Sequence, residues 1–262
     1  MSGGIGSMTG KSVRAAALAV AAFAVLAGPA ATQTTGFSDW AVVVVAGDWR
    51  SATGTTQAFD NARRDLSEAF VDAGFRRDNL RQYSLRPERA GDDPRLVVGP
   101  EFVMEGFAEA ARSARGGCLF YLTSHGSPVG AVFGDRNILS PSQLDQMLTR
   151  ACGPRPTVAV ISACYSGVFI SGAARSNRMI LTAARPDRSS FGCGEKNKYP
   201  YFDACILESL PQSKDFLELA VKARSCVLRM ETETGMAPPS EPQVSVGAEI
   251  ARVLPTMKFA GS

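Results

Sequence analysis

The sequence predicts an α/β fold, with a mostly parallel central sheet flanked by helices on both faces. Runs rich in β-branched and apolar residues alternate with stretches of helical period. Those runs are continuously apolar rather than alternating, as strands buried on both faces are. Hydrophobic residues make up 45% of the 262 positions and charged ones 20%, a globular composition long enough for one full core.

The first run is Trp40-Ala41-Val42-Val43-Val44-Val45-Ala46-Gly47. Phe59, Ala62, Leu66, Ala69 and Phe70 follow at helical spacing, and Gly74 offers a helix stop. Leu80 to Leu85 predicts a shorter strand. Residues 100–115, with Phe102, Val103, Phe107 and Ala110, predict the next helix. A third strand spans Gly117 to Thr123 and runs into Ser124-His125-Gly126. Between 129 and 139, Gly134-Asp135 marks a hairpin or an irregular excursion. Ser140-Pro141 places favoured residues at the N-cap and first position of a helix running to about Arg150. Val158 to Ser162 is a fourth strand, ending in Ala163-Cys164-Tyr165-Ser166-Gly167, and Met179 to Ala183 a fifth. Residues 184–200 have loop composition. Helices are expected near 201–210 and 213–231, then a Pro-rich connection at 236–242 and a last short strand at 244–246.

The N-terminus reads as an export signal over residues 1–30. Lys11 and Arg14 form a basic region, Ala15 to Ala27 an apolar one, and Gly28-Pro29-Ala30 small residues for cleavage. The apolar run is shorter than the ~20 residues a membrane span needs. The expectation is one domain over 31–262 in the periplasm or secreted, with no membrane association beyond the signal. The formal charge is +3; without Lys11 and Arg14 the balance is 26 minus 25, or +1. That balance gives no reason to expect nucleic acid as a partner. Export permits disulfides among the six cysteines. Cys118 with Cys152, and Cys205 with Cys226, are the pairings suggested by their predicted elements, leaving Cys193 over. No Cys-x-x-Cys occurs, which argues against a thioredoxin-like redox site or a zinc ribbon.

The chain has a single histidine, His125, at the carboxyl end of a predicted core strand, and the next strand ends in Cys164. Carboxyl ends of parallel strands share one edge, where ligands bind. An imidazole beside a thiol takes its proton and supplies the thiolate that attacks a carbonyl. Gly126 and Gly167 allow close backbone approach. The amides of Gly126 and Cys164 then suit an oxyanion hole. A lone strand-end histidine is often a loop residue, and a cysteine after an apolar strand is often a small hydrophobe. Their occurrence together at matching strand ends favours chemistry. His precedes Cys by about forty residues, which excludes the chain order of α/β-hydrolases and of papain-type enzymes.

At these residues the chain resembles the legumain-type family of cysteine peptidases, especially its bacterial branch. The segments are Val42–Gly47, Tyr121 to Ser127, Val160 to Gly167 and the loop Ala183 to Gly192. The resemblance implies a caspase-like three-layer sandwich with His125 and Cys164 as catalytic dyad and Gly126 as an oxyanion donor. It also implies a charged pocket selecting Asn or Asp, but the arginine and glutamate of that pocket fall on Phe59 and Ser162. Asparagine preference is not carried over. Ser189 and Ser190 match positions near the substrate; Glu195 and Lys196 match loosely.

Three readings follow: an endopeptidase, whose thioester acyl-enzyme is resolved by water; a transamidase or ligase, in which an amine resolves it; and a non-catalytic binding protein of the same fold. Each takes a polypeptide partner. No phosphate loop, nucleotide fingerprint or metal motif occurs, so no cofactor and no metal are expected.

Overall fold

In a computed structural model of the chain, the described residues are 1–4, 6, 36–86, 95–96 and 99–261. The basic and apolar parts of the expected signal segment lie outside them. The valine run forms β1 (Trp40–Ala46), buried along its whole length. It pairs in parallel with β2 (Leu80–Ser84) on one side and with β4 (Gly117–Thr123) on the other. β8 (Thr157–Ser162) pairs in parallel with β4, and β9 (Arg178–Thr182) with β8. The two-residue β3 (Arg95–Leu96) extends the β2 side, and β10 (Gln243–Val246) closes the other edge antiparallel to β9. The order across this sheet is β10-β9-β8-β4-β1-β2-β3.

Alternation along the strands divides the core in two. Val42, Val44, Leu119, Tyr121, Val158, Val160, Met179 and Leu181 face one side. There they pack on α1 (Ala58–Asp72), α5 (Tyr201–Ser209), α6 (Phe216–Thr234) and α7 (Ile250–Val253). Ala41, Val43, Val45, Phe120, Leu122, Ala159, Ile161 and Ile180 face α2 (Pro100–Ser113), α3 (Pro141–Cys152) and α4 (Val168–Ala173). The result is a three-layer α/β sandwich. Ser140 caps α3 as expected, its hydroxyl accepting from Gln143 N while Gln143 Oε1 accepts from Ser140 N. Asp215 caps α6 by accepting from Leu217 N and Glu218 N, and Gly235 ends it in the left-handed conformation.

The excursion expected at 129–139 is a separate small antiparallel sheet. It contains β5 (Gly126–Ser127), β6 (Gly130–Val132) and β7 (Ile138–Leu139), in that order. β3 and β5 were not foreseen, being two residues each and too short to show a period.

The expected cystines are both present, Cys118–Cys152 and Cys205–Cys226. The first joins the start of β4 to the last residue of α3. The second joins α5 to α6.

Beneath the carboxyl ends of β4 and β8, on the α5 side, lies a buried carboxylate. Asp203 of α5 accepts hydrogen bonds from Tyr121 Oη (2.5 Å) and Thr123 Oγ1 (2.5 Å). Ser162, at the end of β8, is buried beside the same carboxyl. Burial pushes the Asp203 pKa up to about 6, against the opposing effect of the hydroxyl donors, and pushes Tyr121 well above the ordinary tyrosine range.

Two predictions follow from the frame. Cys118 and Cys152 are 34 residues apart, so their cystine restricts the unfolded chain. The double variant Cys118→Ala/Cys152→Ala should lose about 3 kcal/mol of stability in urea unfolding. Asp203 binds its proton more tightly folded than unfolded, so its contribution is full below about pH 4 and is lost as pH rises through about 6. Unfolding free energy should therefore fall by roughly 3 kcal/mol across that window from this group alone. In Asp203→Asn, whose amide can still pair with two rotatable hydroxyls, that slope should disappear.

Candidate active site

Three neighbouring parallel strands end together. Ala46 of β1 is in register with Thr123 of β4, and Thr123 with Ser162 of β8. The ladder runs one residue further, with Gly47 N donating to Thr123 O (3.0 Å) and Ser124 N to Ser162 O (2.9 Å). Asp48, His125 and Cys164 are each the second residue beyond that row, so the chain path alone brings them to one edge.

His125 is half-buried and held on two sides. Its ring packs edge-on against Phe59 of α1, with centroids 5.1 Å apart. Its Nε2 lies 2.8 Å from the carbonyl oxygen of Arg50. A carbonyl only accepts, so Nε2 carries the proton and Nδ1 is left as the basic nitrogen. The Arg50 carbonyl is itself fixed by Asp48. That side chain is only 2% exposed and accepts from Trp49 N (2.8 Å), Arg50 N (3.1 Å) and Arg50 Nε (2.8 Å). A buried carboxylate thus organises the turn that orients the imidazole.

Cys164 stands at the head of a sharp turn. Tyr165, which follows it, has φ +58°, a left-handed conformation costing a non-glycine residue roughly 1–2 kcal/mol. Tyr165 N donates to Arg188 O (2.8 Å), which holds the turn in place. Gly126 lies hard against this turn. A Cβ there would fall 2.0 Å from Cys164 O and 3.0 Å from Ala163 Cβ, so only glycine lets the two strand ends come this close. Gly167 is likewise pressed on Pro186, 2.5 Å from where its Cβ would be.

The segment 184–200 passes over Cys164. Ser190 N donates to Cys164 Sγ (3.3 Å), and the thiol lies 3.4 Å from Ser190 O. The thiol therefore hydrogen-bonds to Ser190, not to His125. Farther along, Glu195 accepts from Ser51 Oγ (3.0 Å) and Thr53 Oγ1 (2.8 Å), and Thr56 Oγ1 donates to Gly194 O (3.2 Å). The segment is zipped to the loop after β1, across the ends of β4 and β8.

Of the residues singled out in the sequence, His125, Gly126, Cys164 and Ser190 meet at this edge. Ser189 is exposed beside them. Phe59 and Ser162 are buried, at 1% and 2% exposure, and present no surface to a substrate. Phe59 instead backs His125, and Ser162 turns towards Asp203. Sequence reasoning missed the Arg50 carbonyl, because a main-chain acceptor leaves no mark on residue identity. It missed Asp203 because one acidic residue in a helical first turn is ordinary. The acceptor role of Glu195 was equally illegible.

The Peptidase C13 family model matches residues 112–221. No curated protein sequence matches the chain. Among solved structures, caspase-1 from Spodoptera frugiperda superposes with a TM-score of 0.57 at 13% sequence identity, covering 81% of this chain and 88% of that one. At that identity the likeness is one of fold. The segment matched by the Peptidase C13 family model carries both His125 and Cys164, and the chain has a caspase-like fold.

Proposed function

We propose that this chain is a cysteine endopeptidase, with Cys164 as nucleophile and His125 as its base. One observation carries the reading: the two residues stand at equivalent positions beyond register-paired Thr123 and Ser162, inside the segment matched by the peptidase family. The Arg50 carbonyl supports it further by leaving Nδ1 as the free base on His125.

In the proposed cycle a peptide carbonyl enters above the strand ends. The thiol gives up its contact with Ser190, its proton passes to His125 Nδ1, and sulfur attacks the carbonyl carbon. Negative charge on the tetrahedral oxygen is met by the amides of Gly126 and Cys164, whose backbones are already in contact. The imidazolium, steadied through Nε2–H to Arg50 O, returns the proton to the leaving amine. Water then resolves the thioester by the same base. Ser189 and Ser190 are the proposed substrate neighbours in the overlying segment, and Phe59 and Ser162 act only through His125 and Asp203.

We further propose that the chain is exported and works in the periplasm or outside the cell. Two cystines support this, since such bonds persist in oxidising compartments.

Cleavage of a peptide library by the reduced chain tests the proposal. Cys164→Ala should show no turnover, and His125→Ala should fall by about 10²- to 10⁴-fold in kcat/KM, both with the wild-type unfolding transition essentially retained. Wild-type rates from Cys164→Ala would refute the assignment. Gly126→Ala should push the two strand ends apart. Its kcat/KM should drop by at least about 10²-fold while a peptide bearing a thiol-reactive group still labels Cys164. An added amine that captured the acyl group in preference to water would move the reading to a transamidase.

A further inference from the structure

Four of the six cysteines are paired, and the two left are Cys164 and Cys193, both half-buried. They are not independent. The Cys164 thiol is turned away from His125 onto Ser190, the segment that reaches Cys193 three residues later. Three residues span at most ~10 Å, and the Cys193 thiol is within electrostatic reach of Cys164. Gly192, with φ +90°, and Gly194 flank Cys193, so no side chain crowds it from its chain neighbours. The stretch is held at Gly194, whose carbonyl accepts from Thr56 Oγ1 (3.2 Å), and the segment is held by Tyr165 N to Arg188 O before it and Tyr201 N to Phe191 O at its return.

We propose that Cys193 is a resolving thiol for Cys164, and that a small-molecule disulfide converts the pair into a reversible Cys164–Cys193 cystine that closes the site. The inference rests on the reading of Cys164 as the nucleophile. The Cys164 thiolate attacks one sulfur of the disulfide RSSR, forming Cys164–S–S–R and releasing RS⁻. The Cys193 thiolate then attacks the Cys164 sulfur, forming the internal cystine and releasing the second RS⁻. Two protein thiols are oxidised, one RSSR is reduced, and the two protons leave on two RSH. The order follows from environment. Burial, and then the neighbouring Cys164, push the Cys193 thiol up, so Cys193 is the poorer first attacker. Cystine geometry needs Cα atoms about 4.4–6.8 Å apart, and the backbone adjustment that closure requires falls between Phe191 and Gly194.

The test uses the full chain, mildly reduced, then equilibrated in glutathione buffers of defined ratio, alkylated and digested without reduction. The expected dominant oxidised form of Cys164 is a peptide linked to Cys193, reopened by dithiol with recovery of thiol labelling. In Cys193→Ser, glutathione should stay on Cys164 at about tenfold or greater abundance than in the wild type, because the internal thiol acts at high effective concentration. Equal glutathione adducts in both proteins, with no linked peptide, would overturn the proposal. The readout is mass and not turnover. A linked peptide in a chain that cleaves nothing keeps the pairing and sinks the peptidase reading; an active peptidase without the link does the reverse.

Discussion

The parallel register of β4 on β8 is the constraint on which the site depends. With Thr123 opposite Ser162, the residues two places on fall side by side without any further device. A slip of one residue would turn every side chain of a strand to the other face, taking Tyr121 and Thr123 away from α5 and Phe120 and Leu122 away from α2. The apolar sets on the two faces therefore enforce the same register that aligns the site. Packing energy, spread over two cores, is what fixes a distance between two polar side chains.

Two buried carboxylates then refine what the sheet brings together, one from each side of the strand ends. Asp203 collects the hydroxyls of Tyr121 and Thr123 under β4 and adjoins Ser162 under β8, tying both ends to α5. Asp48 shapes the turn after β1 and so presents the Arg50 carbonyl to His125. Neither touches the other, yet each satisfies donors that would otherwise be buried without a partner. The left-handed Tyr165 shows the complementary situation. Local backbone strain persists there because Arg188 O and the pressed Gly126 leave the turn no alternative path.

Most of the frame was legible because its signals are local. Four successive valines, the Ser140-Pro141 helix start and the strand-end pair His125 and Cys164 each announce themselves within a few residues. The cystine partners could be chosen because their elements are neighbours in an α/β sandwich. What stayed hidden depends on long-range approach. That Phe59 would face a histidine 66 positions away, with its ring edge-on to the imidazole, is a property of α1 lying over β4, not of any motif. The roles of Glu195 with Ser51 and Thr53 are set by two loops meeting, and the Arg50 acceptor is backbone. Alignment to a family pocket also failed to anticipate burial, which decides whether Ser162 can meet anything but Asp203.

The cystine at the foot of β4 bears on how the molecule can be handled by its surroundings. Cys118 and Cys152 are at 0% and 1% exposure, whereas Cys164, seven residues beyond Thr157, the partner of Cys118 on the adjacent strand, is only half-buried. Thiol exchange requires an attacking sulfur to reach its target, so access orders the reactions before potential does. A weak reductant diffusing nearby acts on the upper rim long before it reaches the base. The sandwich thereby acts as a kinetic filter, shielding its brace and leaving the rim thiol, Cys164, the more accessible of the two.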